Sequence, residues 1–163
     1  MHARSIAVYD RFLGGLSQML TRAEAHCAAK NIKPETLLTF RLYPDMFDFT
    51  RQVQLACDFA ARAAARLAAE EPRAFADTET TFAEMQARIA ASRAYIAGFD
   101  PARYDEAETR PVTFKMRGQD VTMPGDQFTY VYSMPQFYFH LTTAYNILRH
   151  NGVEVGKGDY MAA

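Results

Sequence analysis

The sequence predicts an all-α protein, a four-helix bundle with a short β-hairpin set before its last long helix. Four long stretches repeat apolar residues at spacings of three and four, the period of a helix with one buried face. Residues 111–123 instead alternate apolar and polar, as a strand pair does. The last long stretch, Asp126 to His150, reads DQFTYVYSMPQFYFHLTTAYNILRH and holds seven of the chain's nine Tyr and twelve Phe. A helix apolar over most of its circumference belongs inside a protein or at a subunit contact, so this one is expected to be the innermost of the four.

The first helix is expected from Ser5, a good N-cap, to Lys30. Ile6, Phe12, Leu13, Leu16, Met19, Leu20 and Ala23 form its stripe, and Asn31 is a candidate C-cap. Gly14-Gly15 weakens it locally and suggests a close crossing. Pro34 at a first turn starts a short helix running to about Phe40. After the break at Tyr43-Pro44, Asp45 is placed as N-cap of a helix over Met46–Ala69, with Phe49, Val53, Ala56, Ala60, Ala64 and Leu67 inward. Asp58 and Arg62 in it are read as a solvated i,i+4 pair. An irregular stretch follows, and then a helix over Thr80–Gly98, with Thr81 and Glu84 as a capping box and Gly98 at its end.

In the hairpin, Pro111–Met116 pairs with Val121–Met123 through a turn at Arg117–Asp120. Pro124-Gly125 closes it and Asp126 is expected to cap the aromatic helix. Pro135 lies inside that helix, so a kink or an early break is expected just before it. Gly152 ends it, and Val153–Ala163 is expected as an irregular flap. No repeat or low-complexity segment interrupts the series, which makes residues 1–163 a single domain.

Charge is evenly mixed, with 18 Lys and Arg against 19 Asp and Glu. No basic stripe marks a nucleic-acid footprint. The start carries no secretory pattern and no apolar run approaches a membrane span, so a cytoplasmic location and no membrane partner are the expectations. Cys27 and Cys57 stand 30 positions apart without a CxxC context and are read as small core residues.

The chemistry-bearing residues are sparse. GxSxG, GxGxxG and P-loop patterns are absent, as is any HxxxH or HxxE pair. His140 and His150 are ten residues apart, about 15 Å along a helix axis, too far to share one ion. His140 is read first as a core histidine bonded to Asp48, Gln52 or Gln54, and His150 as a helix-end residue favoured by the dipole. Glu79 and Glu84 are read as caps and first-turn charges. Tyr138, Thr142 and Tyr145 share a face, with His140 placed beside them, as pocket lining or as a core seam. The ligand-pocket candidates are therefore Asp48, Gln52, Tyr138, His140 and Tyr145.

The segments YPDMFDFTRQVQLACDFAARAAARLA, DTETTFAEMQARI and MPQFYFHLTTAYNILRHNGVEVGKGDY resemble the bacterial domain-of-unknown-function family numbered nineteen ninety-three, of the DinB/YfiT-like superfamily of metalloenzymes. The likeness covers nearly the whole chain. It implies a DinB-like four-helix bundle, often dimeric, and a divalent metal held by one histidine of the second helix and an HxxxH pair of the last. Some members are thiol-dependent transferases or hydrolases. In this chain Gln52 or Asp48 stands where the second-helix histidine belongs, and the last helix keeps His150, with Asn146 in the other place and His140 as an extra. No intact three-histidine site, and no cofactor, is thus expected; His140, Asn146 and His150 are the weak candidates for a metal. The expectation is a small-molecule-binding or homodimeric scaffold. The alternative is a divalent-metal-dependent transferase or hydrolase with a degenerate site, whose oxygen ligands would suit manganese or magnesium better than zinc. A dimer is expected separately, because the helices carry more apolar surface than one core needs.

Overall fold

The computed structural model describes residues 1–162, residue 3 by its backbone alone. Its elements are α1 (His2–Lys30), α2 (Pro34–Leu38), α3 (Phe49–Leu67), α4 (Phe82–Ala97), a 3-10 turn (Pro101–Tyr104), β1 (Pro111–Met116), β2 (Gln119–Pro124), α5 (Gly125–Gln127), a π-helical turn (Phe128–Ser133), α6 (Met134–His150) and α7 (Lys157–Tyr160). Helices α1, α3, α4 and α6 make the bundle. Within it α3 packs on each of the other three. No helix among the described residues is long and apolar enough to cross a membrane.

Helix α1 begins three residues before the expected cap, because the Ser5 hydroxyl donates to the Met1 carbonyl from inside the helix instead of capping it. Asn31 does end α1, in the left-handed conformation its short amide tolerates. The stripe Ile6, Leu13, Leu16, Met19, Leu20 and Ala23 is buried. Gly15 meets α7: a Cβ there would lie 2.8 Å from the Asp159 carbonyl oxygen. The close approach read from Gly14-Gly15 is therefore made by the C-terminal segment, while Gly14 faces only the Arg93 guanidinium.

Helix α2 stops at Leu38, short of Phe40, whose carbonyl accepts from Phe49 N–H. That bond, with a turn from Tyr43 to Met46, uses up the segment expected to open α3. The cap is Asp48, not Asp45: its carboxylate accepts from Arg51 N–H at 2.9 Å. The predicted face of α3 is fully buried, and its alanines let α4 and α6 approach closely. Helix α4 has the expected capping box of Thr81 and Glu84.

The hairpin pairs Val112 with Met123 and Phe114 with Val121. Its turn is tighter than predicted: Arg117 and Gly118 both take positive φ, 51° and 81°, and Gln119 and Asp120 extend β2. Val112 and Phe114 face the core, so the hairpin lids one end of the bundle. Gly125 begins the helix that Asp126 was expected to cap, since a Cβ at Gly125 would collide with the Ala107 carbonyl.

Ahead of Pro135 the chain does not break off; the helix widens into the π turn and α6 begins at Met134. Pro135 has no N–H to give, and a π turn relieves the crowding its ring causes. There the Tyr9 hydroxyl donates to Ser133 Oγ at 2.9 Å. The aromatic helix is not enclosed on all sides, however. Phe128, Phe137, Leu141 and Ile147 are buried, but Val131 is 71% and Phe139 56% exposed. The expectation of an innermost rod fails because α1 and α3 cover only the inward faces of 125–150. In the tail, Val153 and Val155 are buried and α7 forms where an irregular flap was expected; residue 163 lies outside the described residues.

Candidate functional site

His140 projects from α6 towards α3. Its ring stacks on Phe59, with centroids 5.6 Å apart and planes 13° apart, and stands edge-on to Phe139. Nδ1 lies 2.7 Å from Oε1 of Gln52, whose amide nitrogen donates to the Phe47 carbonyl. With an oxygen accepting, the network assigns the proton to Nδ1 and the lone pair to Nε2. Burial, and then the positive charge of Arg51, push the imidazole pKa down to about 4, so it is neutral at pH 7.

The other two partners considered for His140 are engaged elsewhere. Asp48 caps α3 and pairs with Arg41, and Gln54 accepts from Arg51 and donates to Glu79. Of the five pocket candidates, then, only Gln52 and His140 meet. Tyr138 and Tyr145 are on the far side of α6, because a two-residue step turns about 200° around a helix. Tyr138 packs edge-on to Phe12, and Tyr145 on Tyr160, whose hydroxyl pairs with that of Thr142. The constellation placed next to His140 is thus a seam under α7.

The three weak metal candidates are equally dispersed. Asn146 is exposed and borders a hollow of about 210 Å³ with Lys157 and Tyr160. His150 is exposed beside Phe40. The histidine facing α3 is His140, whereas His150 is not turned towards that helix. Among the described residues no group of three or more His, Cys, Asp or Glu is placed to hold an ion. One imidazole opposite one amide oxygen does not fit a three-histidine metal centre.

A second polar centre, absent from the reading of the sequence, lies on the other side of α3. Arg88 of α4 is 3% exposed. Its Nη2 donates to Asp58, and its Nη1 donates to the Ala76 carbonyl, to Asp77 and to Glu79 at 3.0 to 3.2 Å. The guanidinium also lies 4.7 Å from the Phe75 ring centre. Asp58 was read as half of a solvated pair with Arg62; that contact exists at 2.7 Å, but Asp58 is buried and its other oxygen holds Arg88. Likewise Glu79 is an ion-pair partner of Arg88 rather than a cap. Burial alone would raise the Asp77 carboxyl, but hydrogen bonds and charge from Arg51 and Arg88 hold it below the ordinary carboxylate range. The signal was there to find: Arg88 falls in the same helical stripe as Met85, Ser92 and Ile96, where a charge needs a partner.

This network pins Phe75, Ala76, Asp77 and Glu79 across α3 and α4, and beside it opens a hollow of about 540 Å³. Leu38 and Phe47 supply apolar wall; Thr50, Arg51, Gln54, Asp77 and Glu79 supply polar groups, with Glu35 and Asp48 at the border. Its size is that of a pocket for a small organic molecule.

A family model described as a domain of unknown function (DUF1993) matches residues 1–161. The chain belongs to that family. The DUF1993 chain is also similar to a solved structure, the crystal structure of a DinB family member protein from Shewanella denitrificans: 40% sequence identity, 98% of this chain and 90% of that chain covered, TM-score 0.91. The DinB-like bundle with its hairpin is therefore the fold of this DUF1993 member. No curated protein matches the chain.

Proposed function

We propose that this DinB-like protein binds a small organic molecule in the groove between α2, the start of α3 and residues 77–80, without a three-histidine metal centre. The observation that carries the reading is the groove itself: an open volume of about 540 Å³ in which apolar Leu38 and Phe47 face a fixed set of charged groups. Asp48, Asp77 and Glu79 are already engaged by Arg41, Arg51 and Arg88, which leaves Glu35 as the lining carboxylate without an ion-pair partner among the described residues and favours a ligand with an amine head and an apolar body. The Gln52–His140 pair serves as a clamp between α3 and α6.

Titration of the labelled protein with butylamine and benzylamine, followed by amide chemical shifts, tests this. Shifts centred on Leu38, Phe47 and Arg51, and weakened in Phe47→Ala, are the expected result. Perturbation confined to other surfaces, or none at millimolar amine, overturns it.

The alternative, a divalent-metal-dependent transferase or hydrolase with a degenerate site, draws on one observation: Nε2 of His140 has no protein partner among the described residues. Stoichiometric manganese, magnesium or zinc in the purified protein, lost in His140→Ala, would replace the first reading with this one.

A further inference from the structure

The hollow of about 210 Å³ bordered by Thr142, Tyr145, Asn146, Lys157 and Tyr160 lies between α6 and α7 and shares no residue with the amine groove. Thr142, Tyr145 and Asn146 stand three and four positions apart, so α6 turns one face towards it. The facing wall is the short α7, which α1 holds in place. Arg22 pairs with Asp159 at 2.9 Å, and Arg11 donates to the Met161 carbonyl at 3.1 Å. The Tyr160 ring stands edge-on to Phe12, with centroids 5.5 Å apart. Both walls are thus fixed before anything enters, and little ordering is left for a ligand to bring about.

The walls are aromatic, and the polar groups left open on them can all donate. Tyr145 and Tyr160 meet with ring centroids 5.7 Å apart and planes at 74°, and the Tyr160 hydroxyl is taken by Thr142 at 2.9 Å. The Lys157 ammonium has no ion-pair partner among the described residues. The Asn146 amide and the Tyr145 hydroxyl bond to no other side chain or backbone group among them either. No carboxylate borders the hollow. Asp159, two residues from Lys157, is already used: one oxygen holds Arg22 and the other accepts from Gly156 N–H at 2.8 Å. Lys157 therefore keeps an uncompensated charge on one wall, with two more donors on the wall opposite.

We propose that this hollow is a binding site for a small aromatic carboxylate. A carboxylate only accepts, which matches an ammonium, an amide NH2 and a phenol better than any amine or alcohol does. Tyr145 and Tyr160 offer ring faces and edges against which a single aromatic ring packs. The volume lies below the roughly 300 Å³ at which pockets for drug-sized molecules begin, so the ligand carries one ring. Inorganic phosphate would satisfy the same donors but leave the tyrosines uncovered, so the ring supplies the preference. This inference does not rest on the amine groove, whose ligand carries the opposite charge.

Titration of the labelled full chain with benzoate, followed by amide chemical shifts, tests the proposal, with acetate and inorganic phosphate for comparison. Shifts centred on residues 142–146 and 157–160 at millimolar benzoate are the expected result, with acetate and phosphate binding about tenfold more weakly. Lys157→Met should weaken benzoate by about tenfold, and Asn146→Leu by a smaller factor. Both side chains are exposed and engage no neighbour, so the fold survives either change, as unaltered amide shifts elsewhere would verify. Absence of shifts at millimolar benzoate, phosphate binding as tightly as benzoate, or benzoate shifts undiminished in Lys157→Met overturns it. Benzoate should leave the amides around Phe47 unmoved, so failure here and failure of the amine groove are separable.

Discussion

The amide oxygen of Gln52 lies 2.7 Å from Nδ1 of His140, joining the second and last long helices. That bond makes the imidazole part of the scaffold. Gln52→Leu should leave Nδ1–H without an acceptor and cost about 1–3 kcal/mol of stability in urea unfolding. Gln52→Glu should keep the contact and raise the imidazole pKa, read from the ring proton shifts.

The depressed pKa of His140 predicts a pH signature. The unfolded histidine titrates near 6.5 and the folded one at about 4. Above pH 6.5 both states are neutral and nothing is lost. As pH falls from 6.5 towards 4 the unfolded state gains the proton first, so stability should fall with a slope approaching about 1.4 kcal/mol per pH unit. Comparison of the wild type with His140→Phe isolates this term, because other groups titrate alike in both. Parallel pH profiles for the two proteins would contradict the assignment.

Arg88 offers a sharper stability test. Arg88→Met should leave Asp58 and Glu79 facing a low-dielectric interior, at a cost of about 3–5 kcal/mol. Residues 71–80 should then become open to trypsin at Arg73. Arg88→Lys should rescue little, since one ammonium cannot reach Asp58, Asp77, Glu79 and the Ala76 carbonyl together.

The adjacent glycines of α1 should separate cleanly. Gly14→Ala meets only the mobile end of Arg93 at 3.6 Å and should stabilise the helix by up to about 1 kcal/mol. Gly15→Ala meets the Asp159 carbonyl at 2.8 Å and should displace α7. Faster amide exchange over residues 157–162 in Gly15→Ala, and not in Gly14→Ala, is the measurement.

The bundle was legible because its signals are local: the stripe from Ile6 to Ala23, the Thr81–Glu84 box and the alternation around Phe114 each report on a few neighbours in the chain. The Gln52–His140 contact was one of three options the sequence allowed, since a lone buried imidazole must find an acceptor. What escaped depends on long-range placement. Asp58 looks solvated beside Arg62 until Arg88, 30 positions on, arrives from α4. Asp45 is as good a cap as Asp48 until Phe49 bonds back to Phe40. The aromatic content of 125–150 foretold burial but not which face stays open, which is decided by where α1 and α3 lie.

The two thiols carry a practical consequence. Cys57 is fully enclosed, and burial, the largest influence on it, pushes its pKa up to about 12; Cys27 is raised in the same way at the far end of α1. Thiolate is the species that alkylating reagents attack, so both should be silent in the native protein. The chain therefore contains its own pair of clocks: the pace at which iodoacetamide marks each sulfur measures how often the middle of the bundle, or the end of its first helix, breathes.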